Sequence, residues 1–113
     1  MLELITAIIK PHKVDEVKEA LLAAGVEGLT LTEVRGFGRQ RGKTENFRGA
    51  EYHIDFIPKV KLEVVVAAEN AERIVGVIAE AAKTDKIGDG KIWTISVDKL
   101  LRVRTGEQDL DAV

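Results

Sequence analysis

"KVKLEVVVAAENAERIVGVIAEAAKT" (residues 59–84) decides the fold. Its first part, "KVKLEVVVA" (59–67), has the length and β-branched content of a strand. It runs straight into "AENAERIVGVIAEAAKT" (68–84), where Ala71, Ile74, Ile78 and Ala81 fall on one helical stripe. Gly76 weakens that helix slightly. "DKIGDGK" (85–91) breaks it, and "IWTISVD" (92–98) is a further strand. The first half of the chain repeats the pattern. "LELITAII" (2–9) reads as a strand, and Pro11 follows. "HKVDEVKEALLAAG" (12–25) reads as a helix with Val14, Val17, Leu21 and Ala24 on one face. Gly25 is a C-terminal stop, because glycine tolerates the left-handed conformation that ends many helices. "LTLTEVRG" (29–36) alternates like a strand.

The two halves are alike in pattern, not in sequence. β-α-β, a long connection, then β-α-β predicts a ferredoxin-like α+β sandwich, βαββαβ. Four antiparallel strands form the sheet, two helices cover one face, and the long loop lies between strands 2 and 3. The length of 113 residues suits one domain, 1–113. "LLRVRTGEQDLDAV" (100–113) reads as a short extended piece and a polar tail. The strands are apolar on both sides: Leu4 and Ile8 oppose Ile5, Ala7 and Ile9, while Val64 and Val66 oppose Val65 and Ala67. A sheet face not covered by helices is usually polar. The second apolar face therefore predicts homo-oligomerisation.

Composition narrows the function. Hydrophobic residues make up 45% and charged residues 32%, an ordinary globular mixture. The formal net charge of -2 gives no general attraction to nucleic acid or membrane. The absence of cysteine excludes disulfides, thiolate metal sites and a cysteine nucleophile. No apolar run approaches the roughly 18 residues of a membrane span. The N-terminus lacks the form of a signal peptide, so a cytoplasmic protein is expected.

The connection "RGFGRQRGKTENFRGAEYHIDF" (35–56) is long for a compact domain, and such loops tend to be functional or disordered. Its glycines allow close backbone approach to an anion, and Arg39 and Arg41 add charge. It is not a Walker A loop. "KIGDGKIW" (86–93) suits either a glycine turn into a strand or a phosphate cradle with Lys91 as its point charge. In "RVR" (102–104), an extended backbone puts Arg102 and Arg104 on one side. Lys59 and Lys61 flank the third strand and Glu63 sits within it. His12 and His53 lack metal-ligand spacing and read as surface residues. No nucleophile or tuned acid–base pair is apparent. "RGFG" (35–38) begins like an RNA-recognition signature, but "RQRG" lacks its aromatic continuation and the strand is the wrong one.

Together these pieces resemble the PII family of nitrogen-regulatory signal-transduction proteins. The likeness runs over about residues 3–113. It rests on "AIIKP" (7–11), "TEVRGFGRQRG" (32–42), "FRGAEY" (47–52), the "DF.PKVK.E.VV" pattern (55–65), "KIGDGKI" (86–92) and "RVRTGE" (102–107). The resemblance implies a non-catalytic homotrimer that binds ATP or ADP in clefts between subunits. Thr30, Gly38, Arg39, Glu63 and Val65 would line that cleft with Gly88, Asp89, Gly90, Lys91, Arg102 and Arg104. Lys91, Arg102 and Arg104 would neutralise phosphates. Gln40 would ligate magnesium with the ATP phosphates and 2-oxoglutarate, and Lys59 would pair with the distal carboxylate of that effector.

Residues 37–55 then resemble the family's T-loop, and 105–113 its C-terminal tail. The loop tip would dock onto an ammonium channel and onto enzymes or regulators of nitrogen metabolism; contact with membrane would be only indirect, through the channel. Tyr52 matches the family's nucleotidylated tyrosine and implies a nucleotidyltransferase partner acting by uridylylation or adenylylation. Phosphorylation on serine is not expected, because Gly49–Ala50 stand at that position. Phe47, His12 and Asp85 depart from the family pattern, the last standing where glycine is common. An RNA-binding module and a slow ATP-hydrolysing enzyme are the alternative functions.

Overall fold

The computed structural model describes residues 1–38 and 56–113 and, between them, the backbone of 44–47 and 50–53. In chain order the elements are β1 (Leu2–Ile9), a 3₁₀ turn (Pro11–Lys13), α1 (Val14–Ala23), β2 (Thr30–Gly36), β3 (Thr44–Phe47) and β4 (Ala50–His53). There follow β5 (Ile57–Ala67), α2 (Ala68–Ala82), β6 (Lys91–Val97) and a 3₁₀ turn at Asp109–Ala112. The main sheet has the order β2-β5-β1-β6, and every neighbouring pair is antiparallel. This is the ferredoxin-like α+β arrangement expected from the two βαβ halves.

Alternation along the strands divides the sheet into two faces. Ile5, Ala7 and Ile9 of β1 and Leu62, Val64 and Val66 of β5 are buried under the helices. They pack against Val17 and Leu21 of α1 and against Ala71, Ile74, Ile78 and Ala82 of α2. Full burial of one such aliphatic side chain stabilises by about 1.5–3 kcal/mol. The expected stripe on α2 is displaced by one residue at its end. Ala82 is buried and Ala81 only partly so, because Ile74, Ile78 and Ala82 continue the i, i+4 row.

The other face carries two kinds of row. Thr30, Glu63, Thr6 and Trp93 lie side by side across all four strands, and Thr32, Lys61, Ile8 and Lys91 form the next row. Leu4, Val65 and Ile95 make an apolar row beyond. Trp93 is 45% exposed and Ile95 55%, so at its β6 edge this face has no cover among the described residues.

Several boundaries differ from the sequence reading. The first helix does not begin at residue 12. Pro11, with its fixed φ, opens a 3₁₀ turn in which the Lys13 N–H donates to the Lys10 carbonyl at 3.0 Å, and the α-helix starts at Val14. β5 begins at Ile57 and includes Pro58, which lies beyond the end of β1, where one edge of the strand has no partner. The connection expected as a plain loop contains a second, two-stranded antiparallel sheet, β3–β4, with Glu45 opposite Tyr52. Only two residues separate these strands in sequence, the spacing of the shortest hairpins. The segment 102–107 is not extended. The Arg102 N–H donates to the Glu107 carbonyl at 2.9 Å and the Gly106 N–H to the Arg102 carbonyl at 2.8 Å, folding Arg104 into a turn.

The end of α1 confirms Gly25 as its stop. Gly25 has φ +94°, its N–H donates to the Leu22 carbonyl at 3.1 Å, and the Val26 N–H donates to Leu21 at 3.0 Å. Those are the two bonds of a Schellman motif. An added Cβ at Gly25 meets nothing within 4 Å, so Gly25→Ala isolates backbone strain. It should lower stability by about 1–2 kcal/mol, read as a reduced urea midpoint at unchanged slope. A variant as stable as the parent would show that the motif does not hold this φ.

Candidate functional site

The turn between α2 and β6 is built on positive φ values: Asp85 at 64°, Gly88 at 95° and Gly90 at 104°. Asp85 stands where a left-handed backbone favours glycine, though aspartate is among the side chains that tolerate it best. Gly90 has no such latitude. A Cβ there would lie 1.6 Å from the Ile8 carbonyl oxygen, so the turn rests directly on the end of β1.

Asp89 points back into this turn. One oxygen accepts the N–H groups of Thr84 at 2.7 Å and Asp85 at 2.9 Å. The other accepts the Thr84 hydroxyl in a short bond and pairs with Lys10 Nζ at 3.2 Å. Lys10 also donates to Thr84 Oγ1 at 3.1 Å. The Thr84 hydroxyl, then its N–H, hold the Asp89 carboxyl far below the ordinary carboxylate range. Partial desolvation opposes them, and Lys10 and Asp85 add smaller contributions.

Lys59 joins the same cluster from β5. It is only 9% exposed, and its Nζ donates to the Gly88 carbonyl at 2.5 Å. Burial is the main cause that lowers its pKa; nearby Lys10 lowers it further, and Asp89 raises it. At its stem, Lys59 Cγ lies 3.7 Å from where a Gly36 Cβ would be. The last residue of β2 therefore adjoins the lysine, and Gly38, just beyond, has open space around it.

A second cluster lies along β2 and β5. Thr30, Glu63 and Val65, with Leu4, Gly28 and Leu29, line an open groove of about 500 Å³. Val65 also borders a neighbouring crevice of about 570 Å³, which Arg102, Arg73 and the end of the C-terminal tail line as well. Arg102 is engaged by that tail, donating to Glu107 Oε1 at 3.0 Å and to the Val113 carbonyl at 3.2 Å. Arg104 is exposed in the adjacent turn.

The candidate ligand residues thus fall in separate places on one chain. Lys59, Gly88, Asp89 and Gly90 meet at the end of β1. Thr30, Glu63 and Val65 share a groove, with Arg102 on the crevice beside it. Lys91 lies on the β6 edge, two strands from β5, and lines neither cavity. Arg39 and Gln40 lie outside the described residues. Of Tyr52 only the backbone, in β4, is described.

Two residues of the turn cluster were not foreseen: Lys10 and Thr84. Lys10 stands in "AIIKP", directly after an apolar strand, which marks it as unusual. Nothing in the sequence links it to a threonine 74 positions away.

A ferredoxin-like sheet with polar clusters set around glycine turns defines a small α+β domain. The comparisons give it a family. The family model described as nitrogen regulatory protein P-II matches residues 2–107. The P-II protein of Rhizobium meliloti is 60% identical over 109 residues, covering 96% of this chain and 97% of its own. That of Cereibacter sphaeroides is 62% identical over the same shares. A crystal structure of Arabidopsis thaliana PII bound to citrate superposes with a TM-score of 0.82 at 37% identity, covering 99% of this chain and 92% of that one. The chain belongs to the P-II family of nitrogen regulatory proteins, which makes it a signalling regulator rather than an enzyme. Among the described residues, no helix is long and apolar enough to cross a membrane.

Asp89 gives a prediction with a definite sign. A carboxyl whose folded pKa lies below its unfolded value stabilises the fold above the unfolded value, here 3.8, and that contribution disappears as pH falls further. Asp89→Asn should therefore be less stable than the parent at neutral pH and converge with it in strong acid. Thermal unfolding across pH measures this. A constant gap down through the acid range would show that the carboxylate's charge is not what holds the turn.

Proposed function

We propose that this chain is a cytoplasmic, trimeric regulator that senses ATP or ADP together with 2-oxoglutarate and acts on partners through residues 37–55. Membership of the P-II family supports the regulatory part. The contact between Lys59 and the Gly88 carbonyl is the single observation that most favours the ligand part. It makes the lysine assigned to the effector and the turn assigned to the nucleotide one cluster. The citrate held by the Arabidopsis thaliana relative is consistent with a carboxylate effector.

The trimer explains the dispersal of the candidate residues. On one chain Thr30, Glu63 and Val65 lie at one side of the sheet and Lys91 at the other. A cleft between subunits can unite two such half-sites. Packing of the uncovered faces would also remove Trp93, Ile95 and Leu4 from water. In the cleft, Glu63 and Thr30 would take the adenosine part, while Lys91, Arg102, Arg104 and the Gly88–Gly90 backbone would take the phosphates. Gly38 and Arg39 would close over the nucleotide.

Magnesium, when bound with ATP, supplies a cation that both the phosphates and 2-oxoglutarate can share, with Gln40 contributing an oxygen. Lys59 would carry the distal carboxylate. Its depressed pKa suits this role, since a buried ammonium gains from an anionic partner. Binding of either ligand would then favour the other by the same factor. Nucleotidylation of Tyr52 would add bulk and negative charge to the loop and change which partners can dock, an ammonium channel or enzymes and regulators of nitrogen metabolism.

Calorimetry with Mg-ATP, then 2-oxoglutarate, then single-stranded RNA tests this reading. ATP should bind, 2-oxoglutarate should bind only with Mg-ATP present, and RNA should not bind. Failure of 2-oxoglutarate to bind alongside Mg-ATP would overturn the sensor assignment. Lys59→Ala should weaken 2-oxoglutarate more than ATP; equal losses would show that the lysine is misassigned. Sedimentation should give three times the 12.4 kDa chain mass, and a monomer at micromolar concentration would remove the inter-subunit site. Tyr52→Phe should abolish labelling by a nucleotidyltransferase that modifies the parent, while leaving ATP binding intact. Labelling that persists would place the acceptor elsewhere.

A further inference from the structure

The carboxylate of Asp89 sits inside a turn assigned to phosphate binding, where its charge would repel the ligand. Its hydrogen bonds explain its presence. Thr84 and Asp85 give it two N–H groups and a hydroxyl, all from within the turn itself. These bonds close residues 84–89 into a loop and leave the negative charge in place. Lys10 reaches that carboxylate from outside the turn and pairs with it directly, while Lys59 of β5 interacts with it through charge. The Lys10 side chain is 12% exposed and bridges Asp89 and Thr84 together.

Lys10 follows β1 directly. The same strand end supplies the Ile8 carbonyl on which Gly90 rests. Lys10 thus fixes the turn to β1 by side chain two residues beyond the point where backbone contact fixes it. Thr84 Oγ1 is placed to donate to Asp89 while accepting from Lys10, so the ammonium also orients the hydroxyl. A cation so placed can do two things for the turn: hold Gly88–Gly90 in its positive-φ form, and offset a carboxylate that would otherwise face incoming phosphates.

We propose that Lys10 is a positioning residue for nucleotide phosphates, neutralising Asp89 and anchoring the 84–90 turn to the end of β1 so that the turn can accept a polyphosphate. This rests on the nucleotide reading given above. It makes no contact between Lys10 and ligand, and it predicts an effect graded by phosphate number, which a general loss of fold would not produce.

The test compares ATP, ADP and adenosine binding to the full-length chain by calorimetry. Lys10→Met should weaken ATP by about tenfold and ADP by less, and should leave adenosine nearly unchanged. Lys10→Arg should restore most of the ATP affinity. Lys10→Met combined with Asp89→Asn should recover the ratio of ATP to adenosine affinity, because the carboxylate charge that Lys10 offset is gone even though the tie to β1 is not remade. Equal weakening of all three ligands, or a ratio unmoved by the double change, would overturn the proposal in favour of a purely structural lysine. Should Lys10→Met fold poorly, the parent and Lys10→Arg titrated with ATP and adenosine across salt concentration decide it. Arginine at this position should keep the parent's ATP-to-adenosine ratio, and a ratio shifted several-fold would count against charge compensation. A parent chain that binds no adenine nucleotide would instead overturn the nucleotide reading itself.

Discussion

The strand β1 is the constraint on which the rest depends. It is hydrogen-bonded along both edges, to β5 and to β6. Ile5, Ala7 and Ile9 bury one of its sides under the helices. A strand paired on both edges cannot slip by one residue without turning its whole apolar set to the wrong face. Its end is therefore fixed in space, and the features of the turn cluster hang from that end. The Ile8 carbonyl lies beneath Gly90, and Lys10 reaches Thr84 and Asp89. Pro11 then forces the chain away into the 3₁₀ turn that leads to α1.

Charge is distributed around that point in a way that costs stability. Lys59 and Lys10 are both partly shielded from water, and Lys10 adds to the burial that disfavours the cationic form of Lys59. Asp89 is the carboxylate between them, yet most of its hydrogen-bonding capacity is spent on Thr84 and Asp85. Among the described residues, two cations therefore tie the sheet to one turn: Lys10 reaches it from the end of β1 and Lys59 from β5, so the 84–90 turn is held by charge as well as by backbone contact.

The architecture was readable because its signals are local. The helical stripes at Val17 and Leu21 and at Ala71, Ile74 and Ile78, the two-sided apolar strands and the stop at Gly25 each depend on residues a few positions apart. What could not be read depends on contacts across the chain or on a single dihedral. Asp89 between two glycines is a cleft residue by the family resemblance; that it also ties the turn together shows only in its bonds to Thr84 and Lys10. "RVR" is consistent with an extended pair of arginines until the bonds between Arg102 and Glu107 fold it. Asp85 is marked in the sequence as a departure from glycine, and its φ of 64° supplies the physical reason glycine suits that place.

The position of the long connection follows from the register of β2 and β5. Gly36 is paired with Ile57, the last residue of one strand with the first of the next. The chain between them leaves and re-enters the sheet at adjacent points. Loop-closure entropy grows only with the logarithm of length, so extending such a connection disturbs the fold little. Its length is thus free to be set by function. Its base is not free: Gly36 adjoins the stem of Lys59, whose ammonium is bound to the turn that Asp89 and Lys10 hold. The root of the connection and the 84–90 turn are thus joined through one side chain, so a displacement of either is felt at the other, and the sheet register sets where that coupling lies.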